Sequence, residues 1–315
     1  MSRLYQLFLT ILLFSSWAVY AQDDRVLKSA DTTQLTAFDS LSIFQLIDSL
    51  LAVTDDPSSQ IVTRLSYNSN VLSAGRTLGI QNFGLAPGIS YYHKTGLYAD
   101  ASAYWSKDFE PKYYLTILSA GYMHDFSKHF SIMTEYDHYF YNVNSDSYIP
   151  YRNTVSVTPM LEFKPVTLSV NYAYYFGDAH VHRIMPGINI TIQKKKWLGL
   201  DRIAFIPSFY TLFGNETIST IEFVDPKNLR ERIKNLKMYG TPYSIVQTDK
   251  NVFGVMNYAI SFPLSISYKK ISLTATYTYN IPIALSGEPL TISEGHFLSG
   301  SLSYFLDLKR NKKAL

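Results

Sequence analysis

The sequence predicts an all-β fold: a transmembrane, up-and-down antiparallel β-barrel of about 12 strands. Three observations carry that expectation. Apolar and polar side chains alternate with period two in segments close to the roughly 9–11 residues that a tilted strand needs to cross a bilayer. The polar positions of the alternation are mostly Ser, Thr, Asn and Tyr, while the charges gather in the connections. A water-facing sheet would carry many Lys and Glu on that face, so the polar face reads as the lining of a lumen and the apolar face as the lipid side. The connections, finally, alternate between short and long, as they do in bacterial barrels.

Taken in order, the chain opens on MSRLYQLFLTILLFSSWAVYAQDD. Arg3 precedes an apolar run from Leu4 to Phe14, and Val19-Tyr20-Ala21 suits signal peptidase, so residues 1–21 read as a cleaved signal peptide. That run falls short of the roughly 20 apolar residues of a spanning helix. Residues 22–60 lack the strand pattern. Within them Leu41, Phe44, Ile47, Leu50 and Leu51 share one helical face, which reads either as a periplasmic helix folded under the barrel mouth or as a docking helix for a protein partner.

From residue 61 to 308 the alternation gives strands at 61–71, 83–93, 96–106, 112–124, 129–142, 152–163, 165–177, 181–193, 201–213, 252–268, 271–283 and 296–308. The stretch ISLTATYTYNIPI is the clearest. Its odd positions are all apolar, from Ile271 to Ile283, and Ser272, Thr274, Thr276, Thr278 and Asn280 stand between them. A slip of one residue would invert both faces, so register is strongly fixed. With the N-terminus periplasmic, the inner turns are short and mostly basic and the outer loops longer. The longest outer insert, 214–251, contains DPKNLRERIKNLKMYG, a short helix with Asp225 as cap, Pro226 at its first position and Gly240 as stop. The basic tail 309–315 closes the chain.

Composition narrows the function classes. At 47% hydrophobic and 17% charged residues the chain is not of disordered type, and its formal net charge of +3 gives no reason to invoke nucleic acid. It contains no cysteine, which removes disulfides, thiolate metal sites and a lipidated N-terminal cysteine. There is no phosphate-cradling glycine loop, zinc-protease helix or G-x-S-x-G elbow, and no cofactor is expected.

Candidate functional residues therefore come from position. The third to sixth strands project Tyr98, Asp100, Tyr104, Tyr114, Tyr122, Glu135, Asp137, Tyr139 and Glu162 inward, so Asp100, Glu135, Asp137 and Glu162 form an acidic arc, and Glu135 with Asp137 reads as a cation-attracting wall. Lys227, Arg230, Arg232, Lys234 and Lys237 give the loop helix a basic face. It reads as a solvated cap near lipopolysaccharide phosphates or as a plug folded against the acidic arc. Arg64 and Asp307, both inward near the periplasmic end, read as neighbours across the closing seam or as unrelated lumen charges. Asp178, His180 and His182 alternate in GDAHVHR and are weak metal-ligand candidates that lack a fourth partner. The pair His129 and Ser131 lies at a periplasmic strand end, the wrong leaflet for a lipopolysaccharide hydrolase.

The signal segment, the alternating strands from Ile61 to Leu308 and the aromatic-rich final strand LSGSLSYFLDL resemble the outer-membrane β-barrel proteins of Gram-negative bacteria. The resemblance is architectural and covers roughly four fifths of the chain, and the tail KRNKKAL departs from a terminal aromatic. It implies an outer-membrane location among lipid and lipopolysaccharide. The leading functional expectation is a passive or weakly selective channel for small polar solutes. Its alternatives are a structural or assembly component with a closed lumen and, less favoured, an outer-leaflet lipid-modifying enzyme.

Overall fold

A computed structural model describes residues 59–69, 72–73, 76–77, 84–107, 110–142, 151–288 and 294–308. The signal segment, the helix expected around Leu41–Leu51 within 22–60 and the tail 309–315 lie outside these residues. We number the barrel strands β1 Gln60–Asn68, β2 Gly84–Tyr92, β3 Leu97–Ser106, β4 Tyr113–Asp125, β5 Phe130–Tyr141, β6 Asn153–Phe163 and β7 Val166–Phe176. Strand β8 joins His180–Ile190 to Ile192–Trp197 across Thr191, and β9 joins Leu200–Phe205 to Ser208–Val224 across Ile206-Pro207. The series ends with β10 Ser244–Tyr268, β11 Ile271–Pro282 and β12 Gly295–Asp307.

Each strand pairs antiparallel with its sequence neighbours, and β1 pairs with β12 to close the ring. The result is a closed 12-strand barrel, as the alternation predicts. Closure follows from the side chains: a sheet that turns its apolar face outward has no second layer to cover an open edge, so the edges must satisfy one another. Both termini of the barrel fall at the end that carries the tight turns, with Gln60 opposite Asp307. One of those turns needs Gly96, whose φ of 92° is left-handed and whose missing Cβ makes room for the Met123 carbonyl.

The faces sort as a membrane barrel requires. Leu65, Ile89, Leu273, Tyr277, Leu298 and Leu302 are exposed on the outside, whereas Asp100, Glu135, Asp137, Arg183, Asn257 and Asn280 are buried within. Among the described residues two bulges interrupt the alternation. Trp105 pairs Tyr113 while Tyr104 pairs Leu115, leaving Tyr114 as the extra residue; Phe213 pairs Val255 while Leu212 pairs Asn257, leaving Met256. Beyond each bulge the parity flips. Leu115, Ile117 and Ser119 therefore point inward and Tyr122 outward, which corrects the expectation that Tyr122 lines the lumen.

The long insert also differs from expectation. Residues 214–251 are not chiefly loop, because the β9–β10 ladder continues unbroken from Gly214↔Gly254 to Val224↔Ser244. The β8 ladder reaches β9 only at Gly214, and β11 reaches β10 only at Asn257. The two arms thus extend about 30 Å past the barrel ladders at roughly 3.3 Å per residue. Between them lies the helix α1, Leu229–Tyr239, capped by Asn228 rather than Asp225: its side chain accepts a hydrogen bond from the Glu231 amide at 2.9 Å. Gly240 stops it with a left-handed φ of 70°.

Candidate functional site

The inner wall concentrates the polar side chains and falls into two unlike halves. On β10, β11, β12, β1 and β2 the inward residues Ser265, Thr274, Ser301, Ser66 and Ala86 form one row across five neighbouring strands. Their hydroxyls bond to one another, Thr274 to Ser265 at 3.2 Å, and likewise Ser267 with Ser272 at 3.2 Å and Ser261 with Thr278 at 3.0 Å. Short β-branched and hydroxyl side chains suit this wall because they satisfy strand propensity and still leave space in front of the sheet. Ser66, Thr274, Thr276, Ser299 and Ser301 remain half-buried, so water reaches them.

The other half carries charge, held by a repeated arrangement. Arg64 on β1 faces Gly88 on β2, and Gly88 faces Ser102 on β3. With no side chain between, the guanidinium lies over Gly88 and donates to Asp100 at 2.9 Å and to Ser102 at 2.5 Å. Ser90 and Ser102 donate to the same carboxylate. Tyr98 repeats the device: it faces Gly121, crosses it and donates to Glu135 on β5 at 2.5 Å. Arg183 faces Gly214 and reaches Glu216 at 3.0 Å and the Asn215 carbonyl at 2.5 Å. Tyr210 faces Gly187 and donates to Asn189 at 2.6 Å. Four inward glycines thus act as saddles that let a long side chain lie flat along the wall. Because charge-assisted bonds are strong, the three saddles that hold Asp100, Glu135 and Glu216 fix where a charge sits, and the fourth holds a neutral tyrosine–amide pair.

Apolar clusters occupy other parts of the interior. Tyr104, Leu115, Ile117, Tyr139, Tyr151 and Tyr175 pack together on the β3–β8 side, and Met185, Tyr210, Leu212, Met256 and Leu285 form a second group. Strict alternation hides both, since Leu115 and Met256 turn inward only through the bulges.

The remaining sequence candidates fall as follows. Asp100 and Asp137 share a row, with Ser119 between them, and Glu135 lies one row away. Glu162 is set apart near the tight-turn end, 3.4 Å from Lys164. Arg64 and Asp307 do not form the seam pair: register sets Arg64 opposite Ser303 and Asp307 opposite Gln60, four positions along, and Arg64 turns the other way to Asp100. The plug expectation is likewise corrected. Lys227, just before the cap, and Arg230, Arg232, Lys234 and Lys237 on α1 are exposed at the tip of the extended hairpin, as are Leu229, Ile233 and Leu236. The ion pairs to the buried Asp100 and the half-buried Glu216 come from the barrel arginines Arg64 and Arg183.

His180 and His182 project to the outside of the barrel rather than into it, and Asp178 is exposed in the turn before them. His182 shares a 2.8 Å hydrogen bond with the Tyr172 hydroxyl. No group of three metal-ligating side chains assembles among the described residues. His129 is at a turn, where its Nδ1 lies 2.8 Å from the Glu162 carbonyl and its ring stacks on Phe163.

No family model matches the chain, and no curated relative matches it. Among solved structures the chain is similar to the KdgM porin, with 10% identity over 78% of this chain and 98% of that one and a TM-score of 0.43. It is similar to the NanC porin at 11% identity over 78% and 98%, TM-score 0.41. It is also similar to the translocator domain of the autotransporter NalP from Neisseria meningitidis at 8% identity over 85% and 96%, TM-score 0.37. Likenesses of this strength assign neither a solute nor a transport mode.

Proposed function

We propose that the barrel spans the outer membrane as a passive, weakly selective channel for small polar solutes. The observation that carries this reading is the hydroxyl wall, which is polar, uncharged and wetted at Ser66, Thr274, Thr276, Ser299 and Ser301. Such a surface exchanges hydrogen bonds with a passing solute without holding it. The apolar cluster of β3–β8 crowds the opposite side, so the passage runs along the β11–β12–β1 wall. Support for the membrane comes from the outer surface, where a continuous apolar belt far exceeds the few hundred Å² that soluble monomers tolerate.

Planar-bilayer recording of the purified protein tests the proposal. The wild type should give discrete conductance steps, and Ser301→Trp, which places an indole on the wetted wall, should reduce them severalfold. Silent wild-type protein, or an unaltered Ser301→Trp conductance, overturns the channel. In that case a closed-lumen assembly component becomes the better reading, and the specific observation in its favour is α1, which holds Leu229, Ile233 and Leu236 exposed away from the barrel.

A further inference from the structure

At its tight-turn end the lumen is apolar, where a passage for polar solutes should be wet. Val62 on β1 packs against Tyr92 on β2 and Phe305 on β12. Tyr92 also meets Tyr98 and Met133, with Met123 and Met160 beside them, so an apolar arc runs around the inner wall from β12 to β6. Three of the chain's seven methionines stand in it. Tyr92, Met123, Met160 and Phe305 stay half-buried. Water gains nothing from such groups, whereas an apolar partner does, and unbranched thioethers adapt to an irregular one.

The rim around this arc is basic. An exposed lysine stands in or beside each of five tight turns, Lys94, Lys128, Lys164, Lys196 and Lys269. The acids at this end are Asp125, Glu162, Asp201 and Asp307, and two of them are already engaged, Glu162 with Lys164 and Asp201 with the Lys269 amide. A surface with an apolar floor and a cationic rim fits an acidic amphipathic segment.

Residues 33–58, which lie outside the described residues, have that chemistry. They carry Asp39, Asp48, Asp55 and Asp56 and neither lysine nor arginine, and the helix expected there sets Phe44, Ile47 and Leu51 on one side. The segment leads into Gln60 on β1, the strand that contributes Val62. The nine residues from Leu51 to Gln60 reach up to about 30 Å. Twelve strands about 4.8 Å apart and tilted by about 40° make a mouth about 24 Å across, so the tether spans it. A tether of this length holds the segment at millimolar effective concentration, and modest contacts then suffice.

We propose that residues 39–56 dock in the tight-turn mouth of their own barrel, the apolar side on the Phe305–Tyr92–Met160 arc and the aspartates toward the turn lysines, and so narrow the passage. The narrowing rests on the channel reading given above; the docking does not.

Because the chain has no native cysteine, disulfide trapping in the full-length protein reads the docking directly. Ile47→Cys is combined in turn with Met123→Cys, Met160→Cys and Phe305→Cys, and at least one pair should close within a single chain on mild oxidation. Ile47→Cys with Leu306→Cys, an outward site, should not close. Raising KCl from about 0.1 M to about 1 M, which shortens the screening length to about 3 Å, should lower the yield severalfold. Ile47→Glu/Leu51→Glu should raise single-channel conductance severalfold, with far-UV circular dichroism reporting a folded barrel. No closure at any of the three seat positions, or equal closure at Leu306, overturns the docking and leaves the lysine ring to lipid headgroups. Disulfides between two chains overturn it in favour of a second copy's segment. Unaltered conductance of the folded glutamate variant overturns the narrowing. Closure within one chain in a protein that never conducts removes the channel reading and keeps the docking, so the two failures are distinguishable.

Discussion

Gly88 shows how much a missing side chain decides. A Cβ there would lie 3.0 Å from Arg64 Nε and from Ser102 Oγ, tighter than ordinary contact, so Gly88→Ala should cost about 1–3 kcal/mol by overpacking. Truncating the arginine removes its share of the obstruction and leaves only the Ser102 hydroxyl, and the double variant Arg64→Ala/Gly88→Ala should therefore be less destabilised than the sum of its parts in a denaturant-unfolding cycle. Asp100 has a 3% exposed side chain and Arg64 an 11% exposed one, so the pair counts as buried. Asp100→Leu, which strands the guanidinium, should cost about 3 kcal/mol by the same measurement. Additive effects in the cycle, or an Asp100→Leu variant as stable as the wild type, would refute the saddle. Alternation made the inward direction of Arg64 and Asp100 legible, but not their pairing. The partner depends on a two-strand reach over a glycine, whereas Asp307 had only its opposite charge and a shared end of the barrel to recommend it.

Among the elements, strands were read well and their irregularities were not. A bulge adds one residue, and in Lys112-Tyr113-Tyr114-Leu115 either tyrosine serves either face, so composition leaves no mark of the flip. Met256 is hidden in the same way between Val255 and Asn257. The long insert reads as loop in the sequence because its arms, which run beyond the ladders of β8 and β11 and pack on the barrel near their base through Glu216, Ile218 and Val252, need not alternate as strictly as strands between lipid and lumen. Its helix was found, and its stop at Gly240 with it, but the cap belongs to Asn228, three residues past the Asp225-Pro226 signal. Replacing residues 225–243 by an Asn-Gly turn, which suits a two-residue hairpin, should leave both barrel stability and single-channel conductance unchanged. A conductance that rises on this replacement would return α1 to the pore. Asn228→Ala should cost the helix about 1 kcal/mol, seen as faster amide exchange confined to 229–239.

For the whole molecule, one division organises everything else. The sheet closes on itself, puts Leu, Ile, Val and aromatic rings outside, and keeps hydroxyls, amides and ion pairs within. The most direct measurement of that division uses the absence of native cysteine. Single cysteines placed in turn at 273 to 277 along β11, in protein reconstituted into vesicles, are reacted with a water-soluble, membrane-impermeant maleimide. The account predicts alternation, with positions 274 and 276 labelled and 273, 275 and 277 protected. Uniform labelling, or labelling of the odd positions alone, would contradict it.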